Sequence, residues 1–195
     1  MHNLEVFGIP IIVMDIPNID IEGIINFIKT TPHVNGSHQT NAWSVDQQIF
    51  ENEIFKDILP FIKTQVQLFS LSCNHICEDI KIINSWSNIL PTGAPIAVHW
   101  HENSYISGTI HLDSKSTFLV KRQWSRELFN IDIGLLDNDE AFEIPSKPGQ
   151  MILFPSRVRH GVATNYDGER YSLAFNTMPK KFGEETKVLD WGRAL

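Results

Sequence analysis

Residues 148–176 read PGQMILFPSRVRHGVATNYDGERYSLAFN. Gln150 to Ser156 is a short apolar run, and the stretches from His160 and from Glu169 alternate apolar with polar positions. Pro145 to Gly149, Phe154-Pro155-Ser156 and Asp167-Gly168 punctuate them as turns. Strands of this length at this spacing predict a β-sandwich or barrel, because helical periodicity is absent and the connections are too short for crossover helices.

The same period of two extends toward the N-terminus through IKIINSWSNIL from Ile80, IAVHWHENSYISGTIHLD from Ile96 and STFLVKRQW from Ser116, with Pro91-Thr92-Gly93 as a turn. Residues 121–145 are the exception. This long charged stretch, with DNDEAF near its end, predicts a functional loop, and its segment Lys121 to Phe142 a lid whose basic start holds Lys121, Arg122, Trp124 and Arg126. Before residue 80 the pattern changes again. VFGIPIIVMDIP reads as one or two strands, Asn18-Ile19-Asp20 as the cap of a helix carrying Ile21, Ile24, Ile25 and Ile28, and Pro32 as its end. Asp46 is expected to cap a helix through Ile54, and Pro60 to sit in the first turn of FIKTQVQLFSL. The expectation is one domain over residues 1–195, mainly β with flanking helices: a helical flank at about 18–78 and a barrel core at about 80–178.

With 42% hydrophobic and 20% charged residues in 195, the composition is that of a globular domain. The net charge of −7 comes without a basic run, which excludes the electrostatic footprint of a nucleic-acid or anionic-membrane partner. The N-terminal MHNLEVFGIPIIVMDIP has no cationic leader region, and Pro10 and Asp15 interrupt its apolar run, so a cytoplasmic protein is expected. Cys73 and Cys77 flank His75; a helix would bring the thiols to one face, but a zinc site needs further ligands, and reduced thiols are the plainer reading.

The chemistry starts at AVHWHEN, residues 97–103. In a strand His99 and His101 share one face, with Trp100 and Glu102 on the other. Alone, this pair reads as exposed or core-bonded histidines before it reads as a metal clamp. His160 offers a third imidazole, and Arg170 with Ser172, two residues apart on a strand, makes a carboxylate clamp: a forked pair of guanidinium donors and a hydroxyl. If His160 and Arg170 belong to one hairpin, only a three- or five-residue loop, with Gly168 or Glu169 left-handed, puts both on one face.

Four pieces of this sequence carry a resemblance: Asn41-Ala42-Trp43-Ser44, Ser85-Trp86-Ser87-Asn88, His99-Trp100-His101 followed by Ser107-Gly108, and PGQMILFPSRVRHGV with ERYSLAFN. From about residue 1 to 178 the chain resembles the 2-oxoglutarate- and Fe(II)-dependent oxygenases, in particular a branch with HxH in place of HxD. The resemblance implies a double-stranded β-helix, the jelly-roll or cupin-like barrel, with iron inside one end. It implies His99 and His160 as iron ligands, His101 where the family at large has a carboxylate, and Arg170 with Ser172 on the distal carboxylate of 2-oxoglutarate. Asn88 and His111 are further candidates for the cosubstrate pocket; Glu102 and Asp113 are the carboxylates that stand near enough in sequence to compete with His101. Fe(II), 2-oxoglutarate and O2 are then the expected cofactor and cosubstrates, and hydroxylation of a small molecule or protein the expected outcome. Two other readings share the three histidines: a three-histidine dioxygenase that does not use 2-oxoglutarate, and a cupin-like metal-binding protein, which has no need of Arg170 and Ser172.

Overall fold

The computed structural model describes residues 2–35, 41–75, 77–122 and 140–182. Trp124 and Arg126, part of the expected lid, lie outside them.

The chain opens as a hairpin, β1 (His2–Val6) and β2 (Ile9–Asp15), turned by Phe7-Gly8. Both turn residues have positive φ, 54° and 78°, which is what a two-residue loop between right-twisted strands requires. Helix α1 (Ile21–Thr30) follows, with the Asp20 carboxylate accepting from the Gly23 N–H at 2.9 Å and with Ile24 and Ile28 buried. After β3 (His33–Asn35) and β4 (Ala42–Ser44), the helix expected from Asp46 to Ile54 is instead two single 3-10 turns, Ile49–Glu51 and Glu53–Phe55. Asp46 accepts from the N–H of Gln48 in an Asx turn, Ser85 takes the N–H of Phe50, and the extended Asn52 separates the turns. Tertiary anchors thus replace the helical ladder. Helix α2 (Leu59–Ser72) begins with Pro60 in its first turn, as expected.

The remaining strands are β5 (Cys77–Leu90), β6 (Ile96–His99), β7 (Ile106–His111), β8 (Thr117–Lys121), β9 (Ala141–Pro145), β10 (Gln150–Pro155), β11 (His160–Val162) and β12 (Arg170–Phe182). They form an eight-stranded sheet, β1-β2-β10-β7-β12-β5-β4-β3, and a four-stranded sheet, β6-β11-β8-β9, antiparallel at every described pairing between named strands. This is the double-stranded β-helix.

The large sheet has two apolar faces for most of its width. Ile12, Met14, Ile106, Ile110, Met151, Leu153, Leu173 and Phe175 point outward into a core shared with α1, α2 and the 3-10 turns. Their alternates Ile11, Val13, Ile152 and Phe154 point inward against Phe118, Val120 and Ile144 of the small sheet. On β12 and β7 the inward alternates are polar: Arg170, Ser172, Ser107 and His111 are all buried. A period of two has therefore placed a polar stripe inside a hydrophobic barrel.

Three expectations need correction. The stretch 121–145 is not loop throughout, since Lys121 ends β8 and Ala141–Pro145 form β9 against it; Arg122 and Glu140 close that pair with an ion pair at 2.7 Å. Cys73 caps the end of α2 while Cys77 begins β5, so they do not share a helical face; both are free thiols. And β11 and β12 are no hairpin. They belong to different sheets, and residues 163–169 cross between them around Asn165, which accepts from the N–H of Asp167 and donates to the carbonyl of Gly168, whose φ is 88°.

Gly108 on β7 faces Phe175 across the ladder, and a Cβ built there would lie 2.2 Å from the ring, which itself packs on Phe50 at 5.7 Å. Gly108→Ala is expected to lose about 1–3 kcal/mol by overpacking, read as a lowered urea midpoint, and Gly108→Val to lose more.

Candidate active site

Between the sheets lies a cavity of about 370 Å³. β6 brings His99 and β11 brings His160, paired directly across the small sheet. His101 arrives differently from the expectation. The strand ends at His99, and the chain then turns, with the His101 N–H donating to the Ser156 carbonyl at 2.8 Å and Asn103 left-handed at φ 56°. Strand alternation is therefore not what aligns His101 with His99, and Trp100, expected on the opposite face, lines the same cavity.

The ligand-capable nitrogens of His99, His101 and His160 lie within 4.8 Å of one another, a group that could hold a metal ion. Their outer nitrogens are engaged in a common way. Nδ1 of His99 stands 2.8 Å from the Ala97 carbonyl and Nδ1 of His160 stands 2.8 Å from the Val158 carbonyl. A carbonyl only accepts, so each Nδ1 carries the proton and each Nε2 presents a lone pair. Nδ1 of His101 is 2.5 Å from the Asn176 side-chain oxygen and 3.0 Å from the Ser107 hydroxyl, which in turn lies 2.8 Å from the hydroxyl of Ser156. With Asn176 accepting, His101 has the same tautomer. Asn176, Ser107 and Ser156 went unrecognised in the sequence; Asn176 and Ser107 sit on strands whose alternation places them inward, and that is the signal that could have found them.

Burial holds the His101 imidazolium down to a pKa of about 4, with the neighbouring His99 adding to it and the Asn176 hydrogen bond opposing. Burial likewise keeps His160 well below the usual imidazole range, helped by His99 and His101. Both are neutral, metal-ready ligands at pH 7.

Across the cavity stands Arg170. It is fully buried, it makes no ion pair within 4.0 Å among the described residues, and its Nε has no hydrogen-bond partner there. Nη1 contacts the Ser172 hydroxyl at 3.3 Å, and Nη2 donates to Nδ1 of His111 at 2.6 Å. His111 is thus the Nε2–H tautomer, held well below its usual pKa by burial and by Arg170, and its Nε2 is a second buried donor without an acceptor. His111 is not among the residues lining the cavity; it lies beneath Arg170 and orients it. Burial lowers the Arg170 pKa to about 10, which leaves it charged at neutral pH. A buried cation with unsatisfied donors is a costly arrangement that an incoming carboxylate relieves. The donor set therefore fits both groups that the resemblance implies.

Asn88 faces Ser172 and His111 in one row across β5, β12 and β7, and its oxygen accepts from the Asn41 amide at 2.9 Å. Asn41 itself lines the cavity, a residue that only the addition of β4 to the sheet brings there. Neither competing carboxylate reaches the histidines. Glu102 is exposed, and the oxygens of Asp113 accept from the N–H groups of Tyr171 and Lys115.

Residues 84–176 match the model of the family described as "Putative 2OG-Fe(II) oxygenase". Over these residues the barrel is similar to the 2OG-Fe(II) oxygenase family. The matched segment includes all three histidines, Arg170, Ser172 and Asn176, and Fe(II) and 2-oxoglutarate are the cofactor and cosubstrate of such an oxygenase. No curated protein matches the chain. Among solved structures, it is similar to a Pseudomonas putida prolyl-4-hydroxylase (TM-score 0.60, 13% identity, 87% of this chain and 92% of that one). It is also similar to HygX from Streptomyces hygroscopicus with nickel, 2-oxoglutarate and hygromycin B bound (0.59, 11%, 92% and 86%). A third likeness is to the non-heme alpha ketoglutarate dependent epimerase SnoN from nogalamycin biosynthesis (0.67, 10%, 95% and 90%). At these identities the likenesses show the fold, and the three proteins differ in what they are named for.

Two measurements test the oxygenase site. Asn176→Ala removes the acceptor that fixes His101, and is expected to weaken Fe(II) binding by about 10–100-fold in chelator competition, while Asn176→Asp retains it. In chelator-treated protein, the His101 pKa of about 4 lies below the unfolded value of 6.5. The unfolded chain therefore takes up the proton first, so this stability is full above about pH 6.5 and is lost as pH falls toward 4. Unfolding free energies from urea titrations across that range are expected to fall by up to about 3 kcal/mol from this group, with a shallower slope in His101→Gln.

Proposed function

We propose that the protein is a 2-oxoglutarate-dependent hydroxylase in which His99, His101 and His160 hold Fe(II) and Arg170 with Ser172 binds the distal carboxylate of 2-oxoglutarate. The observation that carries this reading is the pairing of three convergent Nε2 lone pairs with one buried, unpaired guanidinium across a single cavity. When bound, the metal couples oxidative decarboxylation of 2-oxoglutarate to oxygenation of a C–H bond. This chain's residues do the rest. Ala97, Val158 and Asn176 accept the Nδ1 protons of the three histidines, His111 accepts from the Arg170 fork and holds it, Asn88 braced by Asn41 would close the cosubstrate end, and Phe118 and Phe154 pack on the His160 ring and shield it from water.

The three-histidine set is part of the proposal. Without a carboxylate ligand the metal keeps its full charge, which strengthens its hold on an anionic chelator. The substrate is taken to be a small molecule or a protein side chain, not nucleic acid or a membrane, since the chain is acidic without a basic run. No helix among the described residues is long and apolar enough to cross a membrane, and a cytoplasmic location belongs to the same proposal.

Anaerobic titration with Fe(II) and 2-oxoglutarate is expected to produce the visible metal-to-ligand charge-transfer band. Arg170→Ala is expected to raise the 2-oxoglutarate concentration needed by about a hundredfold or more, with urea unfolding of the variant as the control for stability, because its removal also takes a hydrogen-bond donor from His111. A wild type without the band, or an unchanged requirement in the variant, removes the cosubstrate assignment and leaves a three-histidine site that does not use 2-oxoglutarate.

A further inference from the structure

Three of the chain's five tryptophans, Trp43, Trp86 and Trp100, line the one cavity. Trp43 and Trp86 stand on β4 and β5 of the large sheet, and Trp100 follows β6 of the small one, so the indoles face the cavity from both walls. None is buried, and Trp100 is 45% exposed. Trp86 lies 5.8 Å from the His101 ring; Trp43 and Trp100 stack on no ring among the described residues. Large indoles left half-open beside a metal group have surface to give to a ligand.

The charge of the lining narrows what that ligand is. No Asp or Glu lines the cavity, and Arg170 is the one Lys or Arg among the described residues that line it. Asp113, the carboxylate that faces Arg170 from below, spends its oxygens on backbone N–H groups. A carboxylate ligand in the place of His101 would cancel one more charge of the metal; an imidazole does not. A cation between the indoles would therefore meet a centre that stays positive with 2-oxoglutarate on it, and this repulsion works against the attraction of the indole faces.

We propose that the substrate presents a planar aromatic or conjugated ring bearing no positive charge, held between Trp43, Trp86 and Trp100. This rests on the hydroxylase reading for the position of the reacting atom. It rests on it for the exclusion of positive charge as well, and not for the aromatic slot itself.

The test is calorimetry of the protein loaded with Fe(II) and 2-oxoglutarate under argon, against three probes of similar size: benzamide (planar, neutral), benzamidinium (planar, cationic) and cyclohexanecarboxamide (non-planar, neutral). Benzamide is expected to bind about tenfold more tightly than either of the others. Trp86→Ala is expected to lose that preference and Trp86→Phe to keep most of it. Benzamidinium binding as tightly as benzamide overturns the charge exclusion, cyclohexanecarboxamide binding as tightly overturns the planar slot, and no benzamide binding overturns both. If the charge-transfer band fails while the iron-loaded protein still selects benzamide, the cosubstrate reading falls and the slot stands; a normal band without selection is the reverse result.

Discussion

β12 is paired along both edges, to β5 and to β7, so neither its register nor its face can slip without breaking two ladders. Its outward residues Tyr171, Leu173 and Phe175 are locked into the core under the helices, and that forces Arg170, Ser172 and Asn176 inward. One strand thus supplies the carboxylate clamp at one end and the acceptor that orients His101 at the other. The hydrophobic outer face fixes the polar inner face, and burial of Leu173 and Phe175, each about 1.5–3 kcal/mol, is what holds a buried guanidinium in place.

Electrostatics gives the cavity its character. A buried arginine without a counter-ion is tolerable in a stable barrel only because His111 and Ser172 share its donors and because the rest of the fold carries the cost. Replacing the usual carboxylate by His101 leaves about one more positive charge at a loaded metal. For a unit cation at roughly 6 Å and an effective dielectric constant near 20, that charge is worth about 3 kcal/mol of repulsion, which works against the about 2 kcal/mol that a desolvated cation gains from each aromatic face. In the proposed site one residue, His101, would thus set both the charge of the metal and what the tryptophan slot accepts.

Much of this was legible in the sequence, and the failures have identifiable causes. The strands from residue 80 onward and both α-helices follow from hydrophobic period and turn residues, and the resemblance carried by PGQMILFPSRVRHGV and ERYSLAFN places the fold. The segment at Ala141–Pro145 was missed because its residues are mostly half-exposed or exposed and β8 alone gives it a partner. The expected helix after Asp46 dissolved into 3-10 turns because Ser85, distant in sequence, takes the Phe50 N–H. The β11–β12 hairpin argument assumed that strands adjacent in sequence pair, which a two-sheet barrel violates.

By itself the sequence determined which side chains exist to do chemistry: three histidines, one Arg-x-Ser, an absence of basic tracts, and an alternation that could only be a sheet. Spacing also fixed that Arg170 and Ser172 share a strand face, since that is local geometry, whereas His101 lies beyond the strand that ends at His99. Convergence was decided by the tertiary structure alone. His101 reaches the other imidazoles through a turn anchored on Ser156, its proton is placed by Asn176, and Trp43 and Asn41 reach the cavity only because β4 pairs with β5. These are contacts between residues forty to seventy-five positions apart, and no local periodicity encodes the closing of one sheet upon another.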